Sequence, residues 1–270
     1  MIFIPSIGGV GVMRRILLPA AGALALGCPF AAAAQPAACA PREAITATVR
    51  SVVDGRGVLL EDGREVRLSA IEVPLAQASA ATAALASLLG AREVTLSPLE
   101  PAADRYGRLN MHAFISTGAS AATLLETALV TQGLALASLR GDAACVAALK
   151  VAEAAARRAK AGFWNPDRAM TADRPASLQA GRGGFAVVTG KVGSVRESGG
   201  TIYLNFGRRW SEDFTATVLR RNESRFRAAG VVLRQLEGRI VRIRGVIEER
   251  GGPWIEIVRP EQIELATGSQ

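Results

Sequence analysis

The sequence contains only one histidine, His112, and three cysteines, Cys28, Cys39 and Cys145. A zinc site needs several histidine, cysteine or acidic ligands, and serine–histidine or cysteine–histidine catalysis needs a histidine beside a reactive nucleophile. His112 lies in the middle of a predicted strand, where we expect a packed or surface side chain rather than a catalyst. With so few histidines and cysteines, we do not expect this protein to be a zinc enzyme or a hydrolase that uses a catalytic histidine.

Aromatic residues are also scarce, at 5%, whereas hydrophobic residues make up 49% of the 270 residues, much of this alanine. A chain of this length and hydrophobicity can fill one large or two modest domains. Any surface that stacks nucleic-acid bases must be built from few rings. The apolar run at residues 16–26 is too short, and too interrupted by Pro19, to span a membrane. Nothing in the sequence specifies an oligomeric state.

The N-terminus has the composition of an export signal. Two arginines precede the apolar run, which leads into a series of alanines. This order of basic, apolar and small residues predicts a signal peptide over residues 1–34, cleaved after Ala34. We therefore expect an exported protein, periplasmic or secreted. Cys28 offers a lipoprotein attachment site as an alternative, although the bulky Leu26 stands where such a site favours a small residue.

Removal of the signal peptide would leave two cysteines, Cys39 and Cys145. An even pair in an oxidising compartment favours a disulfide over two buried thiols. The net charge of +8 would fall by two, to +6, because Arg14 and Arg15 leave with the signal. Such a charge attracts nucleic acid or anionic lipid non-specifically and also promotes solubility, so alone it assigns no partner.

The first part of the chain has the pattern of a β-meander. Residues 44–53 alternate in polarity, and two Asp-Gly turns connect them to further runs at residues 57–61 and 65–71. Asp-Gly between alternating runs is typical of hairpins. The remaining elements predicted before residue 165 are helices at 76–89, 121–132 and 142–160 and strands at 93–97 and 109–115. Five short strands with a helix after the third predict a small OB-type barrel, followed here by two helices.

Residues 165–184 are rich in Pro, Gly, Asp and Arg and are predicted as a linker. Beyond them, strands are predicted at residues 185–195, 201–206, 214–218, 240–248 and 254–258, with one helix or two short turns at 225–236. This order again indicates an OB-type barrel. The expected fold class is therefore mainly β with α: tandem OB-type β-barrels, the first with helices packed on it. The expected domains are residues 35–164 and 185–267.

The second barrel carries a separate hypothesis about its surface. Four of its aromatic residues lie among arginines in the sequence: Tyr203, Phe206, Phe214 and Trp254. Rings and arginines on an OB surface could stack bases and contact phosphates, whereas rings in so small a barrel more often fill its core. Arg242 and Arg244 alternate with apolar residues, and we expect both to face solvent.

Five short motifs follow one another along the first part of the chain. They are Val53-Asp-Gly, Val66-Arg-Leu with a short acidic-x-Pro segment after it, Asp104-Arg-Tyr-Gly-Arg108, Leu129-Val-Thr-Gln-Gly-Leu-Ala135 and Ala161-Gly-Phe-Trp164. In this order and spacing they make residues 44–164 resemble the thermonuclease (staphylococcal-nuclease-like) family. The resemblance implies hydrolysis of DNA or RNA phosphodiesters with bound calcium. Two carboxylates then hold the metal, a glutamate acts on the attacking water, and two arginines bind the phosphate.

The phosphate-binding part of that site is present in this sequence. By the resemblance, the two arginines fall on Arg67 and Arg108, and Asp104 and Tyr106 support the phosphate region from the same loop. Arginine presents paired donors to phosphate oxygens and stabilises the charge that accumulates on them. These residues indicate a retained anion site, or alternatively an inherited network of salt bridges.

The metal and base positions have changed. The first metal carboxylate falls on Arg56, the second on Glu72, and the glutamate base on Leu75. Like unit charges about 4 Å apart repel by about 4 kcal/mol at an effective dielectric near 20, so Arg56 opposes a cation. Leu75 cannot accept a proton, and a positioned acid–base group contributes roughly 10²–10⁴ in rate. We expect metal-assisted hydrolysis to be absent or very weak, with no cofactor.

Three functions follow from these observations. The first is a catalytically inactive or very weak exported protein that binds nucleic acid or another polyanion. The second is an active calcium-dependent nuclease whose rearranged site uses Asp54, Glu61 or Glu72. The third is a structural cell-envelope protein that uses the fold without anion chemistry.

Overall fold

The computed structural model describes residues 39–90, 93–116, 122–209 and 211–266. The signal peptide predicted at residues 1–34 and its cleavage site lie outside the described residues. The described part of the chain belongs to one compact unit with two hydrophobic cores. None of its helices combines the length and the apolar character needed to cross a membrane.

The first barrel contains the predicted meander. Its strands are β1 (Ile45–Asp54), β2 (Gly57–Leu60), β3 (Glu65–Leu68), β5 (Glu93–Pro98) and β6 (Leu109–Ile115), while β4 (Ile71–Glu72) lies outside the barrel sheet. β1 pairs antiparallel with β2 and with β5, β2 with β3, and β5 with β6. A parallel pairing of β3 with β6, in which Arg67 lies opposite Asn110, closes the barrel. The predicted OB-type order of strands is confirmed.

The two Asp-Gly turns of the meander have a local chemical cause. In each, the aspartate side chain accepts a hydrogen bond from a backbone amide two residues later: Asp54 from Arg56 at 2.8 Å and Asp62 from Arg64 at 3.0 Å. Gly63 has a φ of +85°, a conformation that side chains with a Cβ rarely adopt. The first turn fixes the backbone of Arg56 beside Asp54, which positions part of the site.

Three helices accompany this barrel. They are α1 (Ala78–Leu89), which follows a 3₁₀ turn at Leu75–Gln77, α2 (Leu125–Thr131) and α3 (Ala143–Arg158). Helix α2 begins later than predicted because residues 123–124 pair with β6 as a short strand, β7 (Thr123–Leu124). A further short strand, β8 (Leu136–Ala137), pairs with β4. Asp142 caps α3 by accepting a hydrogen bond from Ala144 N at 2.8 Å.

The segment predicted as a linker, residues 165–184, packs into the second core instead of running free. It contains a short helix, α4 (Pro175–Ala180), whose Leu178 is fully buried. Ala172 is also buried, and Thr171 forms a parallel bridge to Thr189. A few apolar side chains anchor this segment, and their number is too small to produce a periodic signal in the sequence.

The second barrel repeats the pairing order of the first. Its elements are β9 (Phe185–Lys191), β10 (Ser194–Ser198), β11 (Thr201–Asn205), β12 (Thr215–Leu219), α5 (Glu223–Ala228), β13 (Ile240–Val246), β14 (Glu248–Glu249), β15 (Pro253–Glu256) and β16 (Ile263–Leu265). β10, β11 and β12 form an antiparallel meander, β12 pairs in parallel with β15, and β13 pairs with β9. β9 continues almost directly into β10, and β13 into β14. The order of neighbouring strands therefore returns to its starting point, and the second barrel also closes. The tandem OB-type fold is confirmed.

A buried ion pair joins the two barrels. Arg244 on β13 donates a hydrogen bond from Nη2 to Glu153 Oε1 on α3 at 2.9 Å, and one from Nη1 to Ala137 O at 2.7 Å. Arg244 is 2% exposed and Glu153 is also 2% exposed. The expectation that Arg244 faces solvent is therefore wrong, because α3 of the first barrel covers this face of β13. Arg242 remains half-exposed and pairs with Glu264 at 2.9 Å.

Candidate anion-binding site

A cleft of about 230 Å³ lies at the end of β3 and beside β4. Its charged and polar lining residues are Arg56, Arg67, Ser69, Glu72, Glu100, Asp104, Arg108, Asn110, Ser138 and Arg140. We call this the arginine cleft. It brings together five of the residues that the sequence singled out: the two phosphate-binding arginines, both metal-position residues and Asp104.

Arg56 and Glu72 form an ion pair within the cleft. Arg56 Nη2 lies 2.5 Å from Glu72 Oε2, and Arg56 Nη1 donates to the carbonyl of Ile71 at 2.7 Å. Their side chains are 18% and 29% exposed. Burial lowers the pKa of the Arg56 guanidinium, an effect that the carboxylate of Glu72 opposes. The guanidinium of Arg56 thus supplies the positive charge that this carboxylate faces.

Of the three cleft arginines that face a carboxylate, Arg67 is the least engaged. Its Nη1 lies 3.6 Å from Asp54 Oδ2, which is an ion pair but too long for a hydrogen bond. Its side chain is 21% exposed, and its partner's is 48% exposed. The carboxylate of Glu72 pairs with Arg56 and forms no ion pair with Arg67 among the described residues. The donors of Arg67 therefore remain available to an incoming anion.

Arg108 is held by Asp104 from the same loop. Asp104 Oδ2 accepts hydrogen bonds from Arg108 Nε at 2.9 Å and Nη2 at 2.8 Å, while Oδ1 accepts from the backbone amides of Tyr106 and Arg108. The hydrogen bonds from Arg108 lower the pKa of Asp104 to about 2, and those to Asp104 raise the pKa of Arg108. Gly107, with a φ of +79°, completes this tight turn.

Tyr106 lies at the tip of the same turn and is 65% exposed. The guanidinium carbons of Arg105 and Arg108 both lie 4.8 Å from the centroid of its ring. Cations at this distance are attracted to the ring face. Tyr106 therefore orients Arg108 from one side while Asp104 holds it from the other.

Leu75, at the base position, does not line the arginine cleft. It begins the 3₁₀ turn after β4, is 62% exposed and contacts Gly184 at the start of the second barrel. It borders a separate, mainly apolar cavity of about 210 Å³ together with Phe163, Met170 and Phe185. The position that would activate water thus carries an apolar side chain facing the junction with the second barrel.

The residues present do not fit a calcium ion. Calcium takes six to eight oxygen ligands, usually with several carboxylates among them. Here Glu72 is paired with Arg56, and Asp54 accepts the Arg56 amide and faces Arg67. Glu61 is exposed on the turn after β2, away from the cleft lining. Among the described residues, no group of three or more His, Cys, Asp or Glu side chains could hold a metal ion.

A family model for staphylococcal nuclease homologues matches residues 65–166. These residues form a staphylococcal nuclease homologue domain. The match begins at β3 and runs past α3, and β1 and β2 complete the barrel that it contains. The resemblance to the thermonuclease family is therefore confirmed. No match was found among curated proteins.

Arg140 and Ser138 also line the cleft of the nuclease homologue domain, and neither was predicted from the sequence. A pairing between two short strands brings them there: Glu72 of β4 lies opposite Leu136 of β8, and Ser138 N donates to Ala70 O at 2.8 Å. Strands of two residues leave no recognisable pattern in a sequence. The pairing was therefore not predictable, although it places the residues after β8 beside the metal-position acid.

His112 lies on β6 of the nuclease homologue domain and is 4% exposed, in agreement with the expectation of a packed side chain. Its Nδ1 lies 2.9 Å from Oε1 of Glu126, which is fully buried. Burial raises the pKa of Glu126, while the hydrogen bond with His112 opposes that rise. This pair was not predicted, because Glu126 is the only charged residue of α2 and no local pattern relates it to His112.

The predicted cysteine pair is a disulfide in the structure. Cys39 and Cys145 are bonded, with 4.6 Å between their Cα atoms, and connect the chain before β1 to α3. The bond encloses a sequence separation of 106 residues. It therefore constrains most of the nuclease homologue domain, and it lies on α3 rather than in the cleft lining.

The aromatic residues of the second barrel divide between its core and its surface. Phe214 is fully buried, and Phe206 packs against it with 4.9 Å between ring centroids. Tyr203 and Trp254 are half-buried and form an edge-to-face pair at 5.9 Å. Arg250 covers Trp254 at 5.3 Å. Of these four rings, Tyr203, Phe206 and Trp254 are partly exposed, as base stacking would need, whereas Phe214 is not.

Proposed function

We propose that the protein is an exported member of the nuclease family that binds nucleic acid or another polyanion at its arginine cleft and no longer carries out metal-assisted hydrolysis. Arg67 and Arg108 would contact phosphate groups. Glu72 and Asp54 would neutralise arginines instead of holding a metal. In this reading the domain is a binding module, and the changes at the metal and base positions remove only the hydrolytic part of its chemistry.

The ion pair between Arg56 and Glu72 carries this proposal. Its 2.5 Å separation means that the remaining carboxylate at the metal position already has a cation beside it. Calcium could bind Glu72 only by displacing a guanidinium that is itself hydrogen-bonded to Ile71. Since Leu75 supplies no proton acceptor, neither the metal nor an activated water has a place in the cleft.

Binding of a polyanion is supported by the state of the two phosphate-position arginines. Arg108 is held in a fixed orientation by the two hydrogen bonds that it donates to Asp104, which reduces the ordering that binding requires. Arg67 makes only a long ion pair with the half-exposed Asp54. A phosphate can thus reach one preorganised and one weakly engaged guanidinium within a single cleft.

The compartment proposed for the protein follows from the N-terminal sequence and the disulfide. Disulfides persist in oxidising compartments and are rare in the cytosol, and the pair Cys39–Cys145 fits export. Fractionation of cells that produce the full-length chain tests this part. Recovery of a shortened chain outside the cytosol supports it, while a full-length cytosolic chain with free thiols contradicts it.

Two assays on the purified protein test binding and hydrolysis. The first measures retention on denatured DNA as the salt concentration rises, and the second measures digestion of that DNA with calcium and with a chelator. We expect salt-dependent retention without digestion. An Arg67→Ala/Arg108→Ala variant should lose most retention. A matched control, Arg64→Ala/Arg234→Ala, has the same net charge but removes arginines paired with Asp62 and Glu197.

The outcomes separate the functions considered. Chelator-sensitive digestion by the unaltered protein would establish a working nuclease with a rearranged site. Absence of retention at low salt would favour a structural role without anion chemistry. Equal losses in the Arg67/Arg108 and Arg64/Arg234 variants would show that only the net charge matters and that the cleft is not the site.

A further inference from the structure

We propose that the anion-binding surface continues from the arginine cleft onto the second barrel through Arg140 and Arg259, so that one nucleic-acid strand contacts both barrels. This inference rests on the proposed function of the cleft and names its ligand more closely. A strand carries a phosphate at each nucleotide and can follow a row of cations. A small anion or a short oligonucleotide can engage only the cleft itself.

Arg140 differs from the other arginines of the cleft because it has no acidic partner among the described residues. Arg56, Arg67 and Arg108 each face a carboxylate. Arg140 lines the same cleft and is exposed, yet it forms no ion pair in the part of the chain that the structure describes. Each arginine of the cleft interior is thus compensated by an acid, whereas Arg140 at the rim is not; Glu100, which also lines the cleft, likewise forms no ion pair among the described residues.

Arg259 brings the second barrel to that rim. It follows β15, and its Nη2 lies 3.3 Å from the carbonyl oxygen of Ser138, which also lines the cleft. Its backbone amide donates to Gln262 Oε1 at 3.0 Å, so the turn that carries it is fixed. A residue of the second barrel therefore lies directly beside the first barrel's cleft.

The arginines around Arg259 outnumber the acids. Its pKa is lowered first by burial and then by the positive charge of Arg140, with a smaller contribution in the same direction from Arg225, while Glu261 opposes these effects. Arg225 lies on α5 of the second barrel. Arg140 of the first barrel and Arg259 of the second thus lie within electrostatic range of each other, on either side of Ser138. An anion bound there relieves the repulsion between them.

The junction between the barrels keeps this row of cations in place. The Arg244–Glu153 pair is buried, and Glu264 binds Arg157 of α3 and Arg242 of β13, at 2.8 and 2.9 Å respectively. Because these contacts connect α3 with β13 and β16, the spacing between Arg140 and Arg259 is set before a ligand arrives. A strand that spans both barrels then binds without first ordering them.

The test compares how strongly salt weakens the binding of labelled single-stranded oligothymidylates of about 4 and about 16 nucleotides, the range of site sizes on OB barrels. Each phosphate contact on a single strand contributes about −0.7 to the slope of log affinity against log salt. We expect Arg140→Ala/Arg259→Ala to lower the magnitude of the slope by about 1.4 for the long strand. The short strand, which reaches only the cleft that Arg140 borders, should lose at most one contact, about 0.7. Arg140→Ala alone, at an exposed position, should lower the long-strand slope by about 0.7, so the further loss in the double variant reports the contact with Arg259.

Arg64→Ala/Arg234→Ala, with the same net charge, is the control and should keep the wild-type slope for both lengths. The thermal unfolding midpoint of each variant shows whether it is folded. A long-strand slope unchanged in both Arg140 variants would overturn the extension onto the second barrel and leave the proposed function intact, provided that the Arg67/Arg108 variant still loses binding. Absence of binding by the unaltered protein would instead overturn the proposed function and this inference with it.

Discussion

The guanidinium of Arg56 lies 2.5 Å from the carboxylate of Glu72 and forms an ion pair at the metal position of a nuclease homologue domain. Arg56 thus stands where the family resemblance places a metal-binding carboxylate, and its guanidinium supplies the positive charge that calcium would bring. The acid that remains is neutralised without calcium, and the cleft stays charge-balanced when it is empty. In the proposed function, this arrangement accounts for how the fold can keep its phosphate-position arginines without metal-assisted hydrolysis.

Replacement of Arg56 by aspartate should restore part of the metal site. Arg56→Asp removes the competing cation and places a third carboxylate near Asp54 and Glu72, so we expect calcium to raise the thermal unfolding midpoint of this variant. Digestion of DNA should not appear with this change alone, because no proton acceptor is positioned in the cleft and residue 75 lies outside its lining. Arg56→Ala is the matched control and should gain no response to calcium. An Arg56→Asp variant that calcium leaves unchanged would contradict this view of the site.

The Asp104–Arg108 contact should make stability depend on acid pH. The pKa of Asp104 in the folded protein is about 2, below its ordinary value of 3.8, because Arg108 donates hydrogen bonds to the ionised form. The contribution is therefore complete above about pH 4 and is lost as the pH falls toward 2. Asp104→Asn should be less stable than the unaltered protein near pH 6, and the difference should narrow toward pH 2. Urea midpoints at several pH values measure it, and a constant difference would argue against the contact.

The buried pair at the junction of the barrels should be costly to break. Arg244→Met leaves Glu153 as an uncompensated buried charge, and removal of one partner from such a pair costs about 3–5 kcal/mol. The double variant Arg244→Met/Glu153→Leu should recover much of this loss, because two apolar side chains can replace the pair. Urea unfolding of Arg244→Met, Glu153→Leu and the double variant gives the coupling free energy between the two side chains. If the losses simply add, the pair does not act as a unit.

Loss of the disulfide should destabilise the protein without affecting the cleft. Closing a loop of about 100 residues contributes about 4–5 kcal/mol in the chain-entropy model, and Cys39 and Cys145 are 106 residues apart. Cys39→Ser/Cys145→Ser should therefore unfold at a clearly lower urea concentration. At a temperature where the variant is folded, its affinity for DNA should equal that of the unaltered protein. Adding reductant to the unaltered protein should reproduce the loss in stability, and no loss would contradict the prediction.

The parts of the fold that the sequence predicted are those encoded locally. The Asp-Gly turns at Asp54 and Asp62 and the alternation around them specify the meander, and the spacing of the motifs identifies the family. The positions of Arg56 and Glu72 then implied a cation beside an acid, although their ion pair could be seen only in the structure.

Features that depend on contacts between distant segments were not predictable. Arg244 alternates along its strand like a solvated residue, and only the packing of α3 against β13 buries it. Residues 165–184 have the composition of a linker, yet Leu178 is buried in the second core. Arg140 reaches the cleft through a strand of two residues. In each case the residue contacts a segment that is distant in the sequence, and no periodic pattern marks that contact.

A calcium titration of the unaltered protein, followed by calorimetry, tests the central claim most directly. If Arg56 supplies the positive charge at the metal position, calcium produces no saturable heat, and the same titration of Arg56→Asp does. Saturable binding of calcium to the unaltered protein, abolished by Glu72→Gln, would show that the ion displaces the guanidinium and that the metal site is intact.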